Sequence, residues 1–253
     1  MIPFDWVKSI ELRKSFEAIA SGQRPTQGNA ISILKLFAKS ALASGEPWAA
    51  RTPVGVVDYY MARLDFNSSL AYFLNLSEAM GENERVHVLI DRNGSIHILA
   101  NPLTTIALHK ASESCRTIAI AYVNGGFLRK TKKGFSCGDT VYKMKSEVPP
   151  QQVGEDWWDP FETNLIVSSI IMKRLLIAAI PTLSVSNFIN YGKIEFKNSG
   201  KHSPLWPFAA ITTLAFNWKS LYAVDAFNCS ELSVQRLKQL DVQVQRLPGP
   251  TCI

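Results

Sequence analysis

The sequence predicts a mixed α/β domain, a central sheet with helices on its faces, and three observations predict it. Apolar residues recur at helical spacing in residues 1–50 and form a longer greasy stretch from Leu165 to Ile180. Short runs rich in β-branched residues, at 54–57, 86–99 and 117–123, fall between those helical stretches. Polar, Gly or Pro clusters separate each run from the next. The chain has 253 residues, 47% of them hydrophobic and 19% charged, enough to bury a core without disulfide or metal staples. Its 13 prolines and 14 glycines are ordinary for a globular chain, which excludes collagen-like, coiled-coil and wholly disordered readings.

Taken in order, Val7, Ile10, Leu12, Phe16 and Ile19 predict a first helix, which Ser21-Gly22 and Pro25 interrupt. Ile31, Ile33, Leu34, Phe37 and Leu42 predict a second, closed at Gly45-Glu46-Pro47. Val54, Val56 and Val57 then lead as a strand into Asp58-Tyr59-Tyr60, and Asn67-Ser68-Ser69 caps a helix containing Leu70, Tyr72, Phe73 and Leu74. The clearest local signal is a hairpin, Val86–Ile90 with Ile96–Leu99, across Asp91-Arg92-Asn93-Gly94-Ser95, where Asn-Gly tolerates the positive φ of a tight turn. Thr117–Val123 predicts a third strand. Residues 127–150, with Arg129, Lys130, Lys132, Lys133, Lys143 and Lys145, read as a basic, solvated loop.

Asp159-Pro160-Phe161-Glu162 predicts a helix start, with Asp159 as N-cap, Pro160 at the first position and Glu162 placed for a capping box. That helix runs to Ile180-Pro181; it is short for a membrane span and carries Lys173 and Arg174 at its middle. Ser184–Ile189 predicts another strand, and Ser230–Leu240 a late helix. The expected organisation is a helical N-terminal extension at 1–52, a domain at 53–208 and a C-terminal extension at 209–253.

Net charge is +6, from 27 Lys and Arg against 21 Asp and Glu, which favours an anionic partner without choosing one. Cys115, Cys137, Cys229 and Cys252 stand apart, with no CxxC pair, so neither a cysteine zinc knot nor a disulfide framework is expected. Met1–Lys8 has no basic segment followed by an apolar run, so no secretory signal is expected. No Gly-x-Ser-x-Gly elbow surrounds Ser203, and Ser199–Ser203 lacks the upstream glycine of a phosphate loop. His87 and His97 alternate with apolar residues on paired strands and read as structural histidines.

Over about residues 53–208 the order of segments resembles the type 2 N-acetylmuramoyl-L-alanine amidases, the family of phage endolysins and peptidoglycan recognition proteins. The 86–99 hairpin is similar to the family's His-aromatic-x-Ile-Asp-Arg-Asp-Gly-x-Ile segment. The stretch His109–Gly126 is similar to its His-Ala-Gly … Ile-Glu-Leu-Val-Asn-Gly segment, and Lys201-His202-Ser203-Pro204 to its Lys-x-Cys/Asp-Pro. The resemblance implies zinc-assisted amide hydrolysis, with two His and one Cys or Asp holding the metal and a water in the fourth position. The positions it assigns to those ligands hold Asp58, Asn187 and Ser203, none of the expected identity. A neutral amide and a hydroxyl are poor zinc ligands beside imidazole and thiolate.

The resemblance therefore implies a degenerate cleft lined by Asp58, Asn187, Ser203, Lys201 and His109, with no metal or other cofactor and no catalytic residue. Trp157, Trp158 and Trp206 are candidates for stacking on sugar rings, against the plainer role of core anchors. The expected function is that of a catalytically inactive, structural or adaptor component of a phage particle, in its tail or baseplate. A non-hydrolytic peptidoglycan-binding module is the alternative, and an amidase with atypical zinc ligands, such as His202 with Asp58, a third. The expected partners are other protein subunits and peptidoglycan, not a membrane and not nucleic acid. The expected location is the virion, or else the cytoplasm. The flanking extensions should carry the partner contacts, and deleting 1–50 should abolish incorporation into an assembly while the remaining domain still folds.

Overall fold

The computed structural model describes residues 4–38, 53–80, 86–107, 116–137, 140–142, 150–153, 156–193 and 208–222. The first two helices are α1 (Ile10–Ala20) and α2 (Gln27–Ala38). Ser9 caps α1, its hydroxyl accepting from the Leu12 amide at 3.3 Å, and Thr26 receives the Asn29 amide at 3.2 Å ahead of α2.

The central sheet contains β1 (Gly55–Tyr60), β2 (Val88–Ile90), β3 (Ile96–Ile98), β4 (Thr117–Tyr122) and β10 (Phe188–Lys193), in spatial order β10-β1-β4-β2-β3. All neighbours are parallel except the β2–β3 hairpin, which is antiparallel as its Asn-Gly turn predicts. Parallel strands need both faces covered, and the side-chain rows show it. Val56, Tyr60, Val88, Ile90, Ile118, Ile120 and Tyr122 join one apolar cluster, while Val57, Tyr59, Leu89, Ala119, Ala121 and Val123 join another. The second cluster is covered by α3 (Phe66–Met80), with Phe73 buried against it. The cap of α3 is Asp65, whose carboxylate accepts from the Ser68 amide at 2.8 Å, rather than the expected Asn67–Ser69.

The first cluster is covered by α4 (Thr163–Ala179), which is buried from Leu165 to its end because the sheet lies on one side and other helices on the other. Those helices are α1, α2 and α5 (Phe208–Asn217). Phe4, Val7, Leu12, Phe16, Ile19, Leu34 and Phe37 belong to the same core as Ile170, Ile171, Leu175 and Leu176. Residues 4–38, the described part of the segment expected to be an N-terminal extension, thus pack as an outer layer on this core. The same holds for the start of the C-terminal segment: Ile211, Ala215 and Leu221 are buried in that core. The helix expected at 230–240 lies outside the described residues.

Arg174 ties these layers together. Its guanidinium donates to the carbonyls of Ile19 (2.7 Å), Leu214 (3.2 Å) and Lys219 (2.6 Å), and packs over Trp218. Two of those carbonyls lie in the last turns of α1 and α5, where the helix dipoles present partial negative charge. Burial lowers the Arg174 pKa to about 10.

Two expectations change in the connecting segments. Residues 127–137, read as loop, form β5 (Phe127–Thr131) and β6 (Gly134–Cys137). With β7 (Thr140–Tyr142), β8 (Gln151–Val153) and β9 (Asp156–Trp158) they make a second, antiparallel sheet in the order β7-β6-β5-β9-β8. And Ser184–Ile189 is not one strand: a 3-10 turn, Val185–Asn187, precedes β10.

Candidate functional site

Asp58 interrupts the row of apolar residues on β1 that faces α4, between Val56 and Tyr60. A carboxyl group 1% exposed at the centre of a sheet needs polar partners, because burying one without them is costly. Its Oδ2 accepts from the Lys173 ammonium at 2.6 Å, and its Oδ1 from the Tyr122 hydroxyl at 2.6 Å. Lys173, 0% exposed on α4, also donates to the Thr212 hydroxyl of α5 at 3.0 Å. Its ammonium lies 5.2 Å from the Phe188 ring and 5.8 Å from that of Phe208. Phe161 and Phe208 flank Tyr122 in turn, and Ser169 hydrogen-bonds it.

The result is a charged pair inside an aromatic box, fed by β1, β4, α4, α5 and the entry to β10. Burial pushes the Lys173 pKa down, and Asp58 opposes that by favouring the ammonium. Burial and the neighbouring carboxylate raise the Tyr122 pKa well above its ordinary 10.0. A phenol whose pKa is higher folded than unfolded contributes stability that is whole below about pH 10 and lost as pH rises through the folded value. An alkaline titration followed by phenolate absorbance should therefore leave Tyr122 protonated while the chain is folded, and release it only together with unfolding. Ionisation of all seven tyrosines with an ordinary pKa before any loss of helical circular dichroism would contradict this assignment.

The structure does not bring Asn187 to Asp58. Phe188 is in register with Val56, and Asn190 with Asp58. Asn187 thus sits three residues back along the sheet, roughly 10 Å away at ordinary strand rise. Its side-chain oxygen is occupied locally, accepting from the Ser184 amide and hydroxyl, both at 2.7 Å. The ligand alignment at this strand is corrected accordingly: capping chemistry claims Asn187 before the strand begins. His109, Lys201, His202, Ser203 and Trp206 lie outside the described residues.

Of the expected zinc ligands only Asp58 and Asn187 are among the described residues, and Asp58 does not fit zinc. Asp58 has an ammonium on one oxygen and a phenol on the other, and zinc brought within bonding distance would lie about 4 Å from Lys173. At an effective dielectric of 20, a divalent ion at that separation from a cation is opposed by roughly 8 kcal/mol. Among the described residues, no group of three or more His, Cys, Asp or Glu is placed to hold a metal ion.

Trp157 and Trp158 pack as anchors. Trp158 is 2% exposed, with Phe127 packed edge-on against it, so it has no open face for a sugar ring. Trp157 is half-buried between Phe135, 4.6 Å between ring centroids, and the Lys130 ammonium, 5.2 Å away. His87 is structural: its Nδ1 accepts from the Ala119 amide at 2.9 Å, which leaves Nε2 to donate to the Thr105 carbonyl at 2.9 Å. His97 packs on the Phe66 ring, and burial lowers its pKa against the opposing charge of Asp91.

A second ionic cluster lies at the 91–95 turn, and sequence reasoning missed it. Arg92 engages both oxygens of Asp159 and donates its Nε to Glu162 at 2.9 Å. Asp159 also accepts from the Gly125 amide at 2.6 Å. The carboxylate expected to cap α4 is therefore spent on the hairpin, and α4 begins at Thr163, with Glu162 at the N-cap position and no side-chain cap bond. Gly94, at φ +89°, is pressed against the Asn164 carbonyl, where a Cβ would come within 2.8 Å.

No family model matches this chain, and no curated protein matches it. Among solved structures it is similar to the N-acetylmuramyl-L-alanine amidase AmiD of E. coli, solved with the substrate anhydro-N-acetylmuramic acid-L-Ala-D-γ-Glu-L-Lys, at 18% identity and a TM-score of 0.43. The match covers 68% of this chain and 61% of that enzyme, so the chain spans less than two thirds of its length. Among the described residues, no helix is long and apolar enough to cross a membrane.

Proposed function

We propose that this chain is a catalytically inactive, amidase-like protein that serves as a structural or adaptor component of a phage particle, in its tail or baseplate. The resemblance of its ordered sequence segments to zinc amidases supports the lineage. One observation carries the loss of catalysis: the Asp58 carboxylate, at the position of the first ligand, is committed to Lys173 and Tyr122 inside the core. A metal bound there would need the Asp58 oxygens that Lys173 of α4 and Tyr122 of β4 take up.

The test combines metal analysis with a hydrolysis assay. Purified full-length chain, loaded with zinc and then desalted, should retain far less than about one zinc per molecule. It should release no peptide from peptidoglycan with or without added zinc, and antibodies should find it in purified particles at a fixed ratio to the other subunits. About one tightly held zinc per chain together with cleavage of the muramoyl–alanine amide would overturn the inactive reading. Absence from particles would overturn the adaptor role.

A further inference from the structure

We propose that the tip of the β5–β6 hairpin is a docking point for the phosphodiester backbone of duplex nucleic acid. The inference goes beyond the adaptor role and stands on a different part of the molecule. Arg129, Lys130, Lys132 and Lys133 are all exposed, and residues 127–137 contain no acidic side chain. Those four charges equal two thirds of the chain's net +6. The cations of the core are used differently: Arg92 is held by Asp159 and Glu162, Lys173 by Asp58, and Arg174 by three carbonyls.

As a loop, such a run would be a solvated face whose charges move independently. As a hairpin it is a built object. Arg129 pairs with Ser136, Lys130 with Phe135 and Thr131 with Gly134. The turn is closed by the Thr131 hydroxyl donating to the Gly134 carbonyl at 3.0 Å and accepting from the Lys133 amide at 3.2 Å, with Gly134 at φ +117°. The base is anchored by buried Leu128 and Cys137, packed with Phe135 and Trp157. Four cations are thereby held on a tip of three rungs, about 10 Å long.

The chemistry of the tip selects the partner. Three of its four cations are lysines, compact point charges that bind phosphate oxygens without the fixed bidentate geometry of an arginine fork, as contact with a repeating backbone requires. Along each strand of double-stranded DNA the phosphates follow at roughly 3.4 Å of axis, so a tip of this length meets about three on the backbone it faces. Trp157 is covered by Phe135 and Lys130 and gives no stacking platform, which disfavours single strands, whose binding depends on base stacking. The backbone is then contacted without reading sequence.

The experiment is fluorescence anisotropy of the full-length chain with a labelled mixed-sequence duplex over a salt series. Affinity should fall with salt at a log–log slope of about −3 to −4, one contact per cation. Lys130→Gln, Lys132→Gln and Lys133→Gln together should weaken low-salt binding at least about tenfold and flatten the slope by about 2 to 3. The control triple Lys8→Gln, Lys14→Gln, Lys35→Gln removes equal charge from exposed positions before and on α1 and α2, and should leave most of the binding intact. Duplex binding is read on the purified chain and the adaptor role on particle incorporation, so this test fails or succeeds apart from the adaptor reading. Equal losses in the two triples would reduce the effect to net charge and overturn the proposal. So would absence of duplex binding, tighter binding of the matching single strand, or equal competition by polyglutamate at the same charge concentration.

Discussion

Lys173→Met should lower stability by about 3–5 kcal/mol, because it leaves the Asp58 carboxylate buried with a hydroxyl as its remaining named partner. In a chain of this size that is a fall in Tm of roughly 10 °C. Methionine matches the length of the lysine stem, so the loss would not be that of packing. Asp58→Asn strands the ammonium instead and should cost a similar amount. The double substitution Asp58→Asn with Lys173→Met removes both charges and should recover much of either loss, since a buried ion pair is worth little over an uncharged replacement even though breaking it is costly. The cycle thus reads the coupling between the two side chains directly. If Lys173→Met shifts Tm by no more than about 1–2 °C, the pair does not hold α4 to the sheet as described.

That pair also marks where sequence reasoning stopped. Asp58 was conspicuous in Gly55–Tyr60 and Lys173 in the apolar stretch of α4, but 115 residues separate them, and periodicity carries no information across such a distance. What was legible followed from local physics. The 86–99 hairpin was readable because Asn93-Gly94 suits the turn and the flanking residues alternate, and α4 because a largely apolar run of its length, interrupted only by Ser168, Ser169, Lys173 and Arg174, suits a helix covered on all sides. The start of α4 was misread because Arg92, 67 residues earlier, takes the carboxylate that a local rule assigns to capping. The β5–β6 ribbon was misread because Arg129-Lys130-Thr131-Lys132-Lys133 has no apolar alternation; Leu128, Phe135 and Cys137 at its base bind it to the domain. Asn187 was assigned to a strand because Val185 and Phe188 look like strand residues, while the Ser184–Asn187 capping box decides the local geometry.

Removal of residues 1–52 should prevent folding altogether, contrary to the expectation that they form a dispensable extension. The argument starts from α4, whose central turns carry Ile170, Ile171, Leu175 and Leu176, all at most 1% exposed in the intact chain. One side of α4 rests on the sheet; α1 and α2 cover much of the other with Leu12, Phe16, Ile19, Leu34 and Phe37. At about 2 kcal/mol for each buried apolar side chain, those five alone approach the entire stability of an ordinary domain, about 5–15 kcal/mol. The truncation would further remove one of the three carbonyls that hold Arg174, that of Ile19, and orphan the Leu221 amide, which loses that of Ala20 at 2.7 Å. The truncated chain should be insoluble, or else compact without near-UV circular dichroism and without a cooperative melt. A soluble product melting cooperatively near the full-length Tm would show that α4 needs no cover from these helices. For the same reason truncation is the wrong probe of partner contacts on this face. The described apolar side chains that α1 and α2 leave well exposed are Ile10, at 73%, and Leu36, at 42%, and single exposed apolar residues are common on monomers. Ile10→Asp and Leu36→Asp keep the fold and change that surface, so a loss of particle incorporation with an unchanged Tm would place a subunit contact there, whereas unchanged incorporation would assign α1 and α2 to the core alone.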